Sequence, residues 1–182
     1  MRKIILLLVV TLPLISLGQN DVEKKITKYE QFTSKTGRIS KFIDVKMPSI
    51  PFTLFGSVPT KIRTVIGEQS NFYFYIVEEK TPGGVVAIIE YSDLVEINKA
   101  LTKLVSEVEA DCTANHDYLE NRFITEDGLQ IGYSVSKGNA SWYLKNDGLL
   151  NNTIYVKNAE VLTSNFASAQ KKIEEMKASN SL

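Results

Sequence analysis

The chain has 182 residues, 21 Lys+Arg against 21 Asp+Glu, and 43% apolar content. That balance excludes a strongly basic nucleic-acid binder, which needs a clustered cationic surplus to neutralise phosphates. The apolar content excludes an acidic, disordered chain, and a length of this order fits one domain burying roughly 70% of its unfolded surface.

Arg2 and Lys3 precede an apolar run from Ile4 to Leu17, and Ser16-Leu17-Gly18 puts small residues at the −3 and −1 positions of a cleavage site. These are the three parts of a secretory signal peptide. The run is shorter than the roughly 20 residues a membrane span needs. The expectation is a signal peptide over 1–18 and a single α+β domain over 19–182, exported to the periplasm or secreted. Removing the leader leaves 164 residues and a formal charge of −2. No cysteine stands beside the cleavage point, so no N-terminal lipid anchor is expected, and no other segment is apolar enough to span a bilayer. Cys112 is the only cysteine, so no internal disulfide can form. The short n-region and the missing disulfide framework point to a bacterial protein.

Val22, Ile26, Tyr29 and Phe32 have helical spacing and predict a short helix over 21–33. Ile39 to Met47 is rich in β-formers. The three prolines and Gly56 between Pro48 and Pro59 predict a loop or an edge segment. Lys61–Ile66, Asn71–Val77 and Val85–Glu90 read as strands, with turns at Gly67–Ser70 and Thr81–Gly84. Leu94, Ile97, Leu101, Leu104, Val105 and Val108 then line one face of a helix over 93–113, with Asp93 and Glu96 as a capping box. Strands return at Leu119–Thr125, Leu129–Val135, Ala140–Lys145 and Thr153–Val156, the first two joined by Asp127-Gly128. Ala159, Leu162, Phe166, Ala169, Ile173 and Met176 predict a last helix over 159–178, capped by Asn158 or Ser164.

Ile89, Leu94, Ile97, Leu101, Leu104 and Val108 map onto Ile154, Ala159, Leu162, Phe166, Ala169 and Ile173 at a constant offset of 65 residues. The offset fits either a duplication into pseudo-repeats 38–113 and 117–178, each of strands and then one helix, or two unrelated strand-then-helix units that slide into hydrophobic register. Strands arriving in runs argue α+β: one antiparallel sheet of six to eight strands with the two long helices on one face.

Most catalytic chemistries lack their residues. An ordinary zinc site needs several His or Cys, and the chain has one of each, Cys112 and His116. Four apart on a continuous helix, these two would share a face, flanked by Asp111 and Asp117. The alternative is a helix C-terminus, where His suits the dipole and Cys packs inward. There is no Gly-x-Ser-x-Gly elbow, glycine-rich phosphate loop or EF-hand loop. No metal or cofactor is expected.

Aromatic residues supply the remaining lead. Phe72-Tyr73-Phe74-Tyr75 places aromatics on both faces of one strand, and Tyr91, Tyr133, Trp142, Tyr143 and Tyr155 fall on or beside others. A sheet face carrying tyrosine can stack sugars or anchor a protein partner, because the ring is apolar and the hydroxyl polar. Tyr73, Tyr75 and Tyr143 are the candidate ligand-binding residues. The expected function is a non-catalytic exported binding or interaction module for a small molecule, glycan or envelope protein. The alternatives are a small exported hydrolase using carboxylates or Cys112, and a structural subunit of an envelope assembly.

Overall fold

A computed structural model describes residues 26–179 apart from 35, 38, 53–55, 68–69, 79–84, 115 and 147–152. The expected signal peptide and the turn at 81–84 lie outside these residues. The elements are α1 (Lys28–Thr33), β1 (Lys41–Pro51), β2 (Ser57–Ile66), β3 (Asn71–Glu78), β4 (Val85–Glu90) and α2 (Tyr91–Thr113). After them come β5 (Leu119–Ile124), β6 (Leu129–Ser136), β7 (Asn139–Asn146), β8 (Ile154–Val156) and α3 (Ala159–Ser179). No described helix is long and apolar enough to cross a membrane.

The fold is α+β with antiparallel strands, but the expected single sheet is replaced by two. Sheet A has the order β1-β2-β3-β4 and sheet B the order β5-β6-β7-β8. The helix between them rules out a hairpin from β4 to β5, since at 1.5 Å per residue its 23 residues carry the chain roughly 35 Å. β4 and β5 each stand at an edge of their own sheet. Both halves share one order, four strands and then a helix.

The inner faces of the sheets and the apolar stripes of α2 and α3 form one core. Ile62, Tyr75 and Ile89 are cross-strand neighbours on sheet A. Ile131, Leu144 and Ile154 form the matching row on sheet B. Leu94, Ile97, Leu101 and Leu104 of α2 and Leu162, Phe166, Ala169 and Ile173 of α3 are buried against them. Each large side chain in this core contributes roughly 1.5–3 kcal/mol by leaving water.

The helices cross over between the halves. α2 lies over β5, β6 and β7 of sheet B as well as touching β3 and β4. α3 packs against β1, and its Phe166 ring meets Tyr75 of β3 edge-on at 5.4 Å. Each half is thus closed in part by the helix of the other.

The helix ends obey local chemistry. α1 is N-capped by Thr27, which forms a capping box with Glu30, while the 21–25 part of the expected helix lies outside the described residues. α2 starts two residues before Asp93: Glu90 is its N-cap and accepts from Ser92 N at 2.7 Å. Asp93 instead holds Lys28 Nζ at 2.6 Å. At α3, Asn158 Oδ1 accepts from Val161 N at 3.2 Å, so Asn158 rather than Ser164 sits at the start.

α1 is too short to persist alone. It is held on the outer face of sheet A, where Phe32 stacks on Phe72 at 3.8 Å and Tyr29 meets Phe74 edge-on at 5.1 Å. Sheet A is thus covered on both faces, by the two long helices within and by α1 outside.

Candidate functional site

The three candidate tyrosines do not share a face. Tyr73 and Tyr75 point inward, 4% and 0% exposed, and belong to the core between sheet A and α3. Burial pushes the Tyr75 hydroxyl up to about 12. Neither ring is displayed to solvent. Tyr143 points outward from sheet B, on the same side as Glu120, Arg122, Gln130 and Tyr155.

One cross-strand row organises that face. Arg122 of β5 opposes Gly132 of β6, Gly132 opposes Tyr143 of β7, and Tyr143 opposes Tyr155 of β8. Gly132 has no side chain because there is no room for one: a Cβ would lie 2.2 Å from Asn121 O and 2.7 Å from Arg122 Cα. The gap on β6 lets Tyr143 reach across it, and its hydroxyl donates to Glu120 Oε1 on β5. Burial and the Glu120 carboxylate both raise the Tyr143 hydroxyl well above the usual phenol value. Arg122 Nη1 donates to Gln130 Oε1 at 2.7 Å and lies 3.6 Å from Glu120. A phenol, a carboxylate, a guanidinium and an amide therefore form one connected group.

Only part of this group is accessible. Tyr143 and Gln130 are buried, at 4% and 2%, whereas Tyr155 is 53% exposed and meets Tyr143 edge-on at 6.4 Å. The reachable ring is thus Tyr155. The expected site residues omitted it, although the alternation Ile154, Tyr155, Val156 marks it as outward-facing once its neighbours are buried. Among the described residues no helix covers this face.

Other groupings carry less. α2 ends at Thr113, and Ala114 turns into extended backbone, so Cys112 and His116 do not share a helix face. No group of three or more His, Cys, Asp or Glu able to hold a metal ion occurs among the described residues. On the inner side of sheet B, Asp111 Oδ2 accepts from the Tyr133 hydroxyl at 2.6 Å, and Asn121 Nδ2 donates to Glu107 at 2.9 Å. These bonds clamp α2 onto β5 and β6.

An open groove of about 300 Å³ runs between α2 and α3. Its polar groups are largely engaged with one another: Asn98 Nδ2 donates to Gln170 Oε1 at 2.7 Å, and Gln170 Nε2 donates to Glu174 at 2.8 Å. It reads as a seam between helices. No family model matches the sequence, and no curated protein or solved structure shows a significant match to it.

Proposed function

We propose that the protein is an exported, non-catalytic binding module whose ligand rests on the outer face of sheet B. The observation that carries this reading is the half-exposed Tyr155 ring beside the linked Tyr143, Glu120, Arg122 and Gln130. An accessible ring stacks a flat or sugar-like ligand, while a carboxylate and a guanidinium at its margin exchange hydrogen bonds with hydroxyls. Tyr143 serves as the wall behind Tyr155 and fixes Glu120 in place. Of the three tyrosines singled out in the sequence, it is the one retained in the site.

The test is thermal stability against a panel of sugars, peptidoglycan fragments, fatty acids and peptides. A ligand bound only to the folded state stabilises by mass action, by about 2.7 kcal/mol at a hundredfold excess over its dissociation constant. Tyr155→Ala is expected to abolish the shift while leaving the unliganded melting temperature in place. A shift that survives both Tyr155→Ala and Glu120→Gln would place the ligand elsewhere and sink this reading.

A further inference from the structure

We infer that β1 is a self-complementary edge through which two copies of this chain pair, joining two sheets A into one continuous eight-stranded sheet. β1 is the edge strand of sheet A, and from Lys41 to Met47 it runs in unbroken register with β2. Its outer side pairs with no other strand among the described residues. Phe42 and Ile43, on opposite faces, are each 43% exposed. Such an edge offers a row of backbone donors and acceptors to another strand.

The sequence of β1 selects the partner and the register. A twofold axis perpendicular to the sheet makes the two copies of β1 antiparallel and keeps each residue on its own face. Residues of equal parity must then oppose one another, so one residue lies on the axis. With Val45 there, Asp44 faces Lys46 of the other copy, twice, on the outer side. On the inner side Val45 meets Val45 and Ile43 meets Met47, both apolar pairs. Phe42 meets Pro48, and there the ladder ends, because Pro48 has no N–H to donate and the strand bulges between Met47 and Ile50.

The neighbouring registers fail. Moving the axis to Asp44 sets two carboxylates against each other, and moving it to Lys46 sets two ammonium groups together. An axis at Ile43 opposes Lys41 to Val45 and makes no ion pair. An axis at Met47 runs into the bulge. Opposite charges across a ladder stabilise it and like charges destabilise it, so one register stands apart. Lys46 is exposed and makes no ion pair among the described residues. Asp44 is bonded to Arg63 through both oxygens at 2.7 Å and to Lys61 at 3.1 Å, yet keeps about a third of its side chain exposed, where Lys46 of the other copy would join the cluster.

The experiment is the mass in solution, by light scattering, of the protein purified in the form cells deliver. Circular dichroism checks the folding of each variant. The expected result is a concentration-dependent dimer that Lys46→Arg preserves. Lys46→Asp turns both ion pairs into like-charge pairs and is expected to weaken the dimer about tenfold or more. In a Cys112→Ser background, Val45→Cys places two thiols across the axis, within reach of a disulfide. It should cross-link on oxidation, while Lys41→Cys should not. A monomer at every concentration overturns the proposal. So does a dimer indifferent to Lys46→Asp, or one cross-linked through residue 41 and not 45.

Discussion

Sheet A and sheet B are built on the same plan and differ in what lies on their outer faces. Sheet A presents Phe72, Phe74, Ile76 and Val65 outward, and α1 covers them with Tyr29 and Phe32. At its free margin Asp44 is chelated by Arg63 at two distances of 2.7 Å and joined by Lys61 at 3.1 Å. The Arg63 guanidinium holds the Asp44 carboxyl below its usual range. Sheet B presents Glu120, Arg122, Gln130, Ser134, Tyr143 and Tyr155 outward, with no described helix over them. An apolar face demands a cover and receives one. A polar-aromatic face tolerates water, and here only part of it, chiefly Tyr155, reaches solvent.

The crossing of the helices makes the strongest test of this comparison. Phe166 is fully buried and contacts sheet A from the far half of the chain. Phe166→Ala is expected to cost about 3–5 kcal/mol in denaturant unfolding. Hydrogen exchange should show β1 to β3 losing protection first. If β5 to β8 lose it instead, the halves are closed by their own helices and the comparison breaks.

Gly132→Ala comes next. Its Cβ would press on the β5 backbone, which cannot swing aside as a flexible side chain can. The expected loss is about 1–3 kcal/mol, read from the denaturation midpoint. No loss would mean that the β5 backbone yields to the added methyl group.

The two outer faces should then respond in opposite ways. Phe32→Ala uncovers Phe72 and is expected to cost about 1–2 kcal/mol, since Phe32 is partly buried. Tyr155→Ala should stay within about 0.5 kcal/mol, as for an exposed position outside the core. Equal losses at both sites would give Tyr155 a structural role.

A further effect is silent at neutral pH and appears only in alkali. Burial pushes Tyr75 up to about 12, and burial with carboxylate acceptors also raises Tyr133 and Tyr143. An unfolded phenol titrates near about 10. The unfolded chain therefore loses these protons first as pH climbs. The stabilisation is complete below about pH 10 and drains away as pH rises through the folded values. Ultraviolet titration should show these tyrosines ionising together with unfolding, and Tyr143→Phe should make the alkaline loss shallower.

Much of this architecture was readable in the chain. The stripe from Leu94 to Leu104 and the one from Leu162 to Ile173 each gave their helix, and the strands after residue 117 fall close to their expected limits. The sheet count was not readable, because alternation along a strand says nothing about which strand lies beside it. The direction of Tyr73 and Tyr75 was hidden for a related reason. Alternation reveals the core face only when the other face is polar, and β3 lies between α1 on one side and the long helices on the other, so neither face is polar. The spacing of Asp93 to Glu96 suits a capping box, yet Glu90 is the cap. The long-range pull of Lys28 and the earlier start at Tyr91 have no local signal.

The exchange of helices also sets an order of events. α3 is the last described element to be synthesised, and it closes the sheet that is made first. Until it arrives, the inner face of β1 lacks part of its cover, and the first half cannot finish folding ahead of the second. The chain therefore stays incompletely packed until α3 has been made.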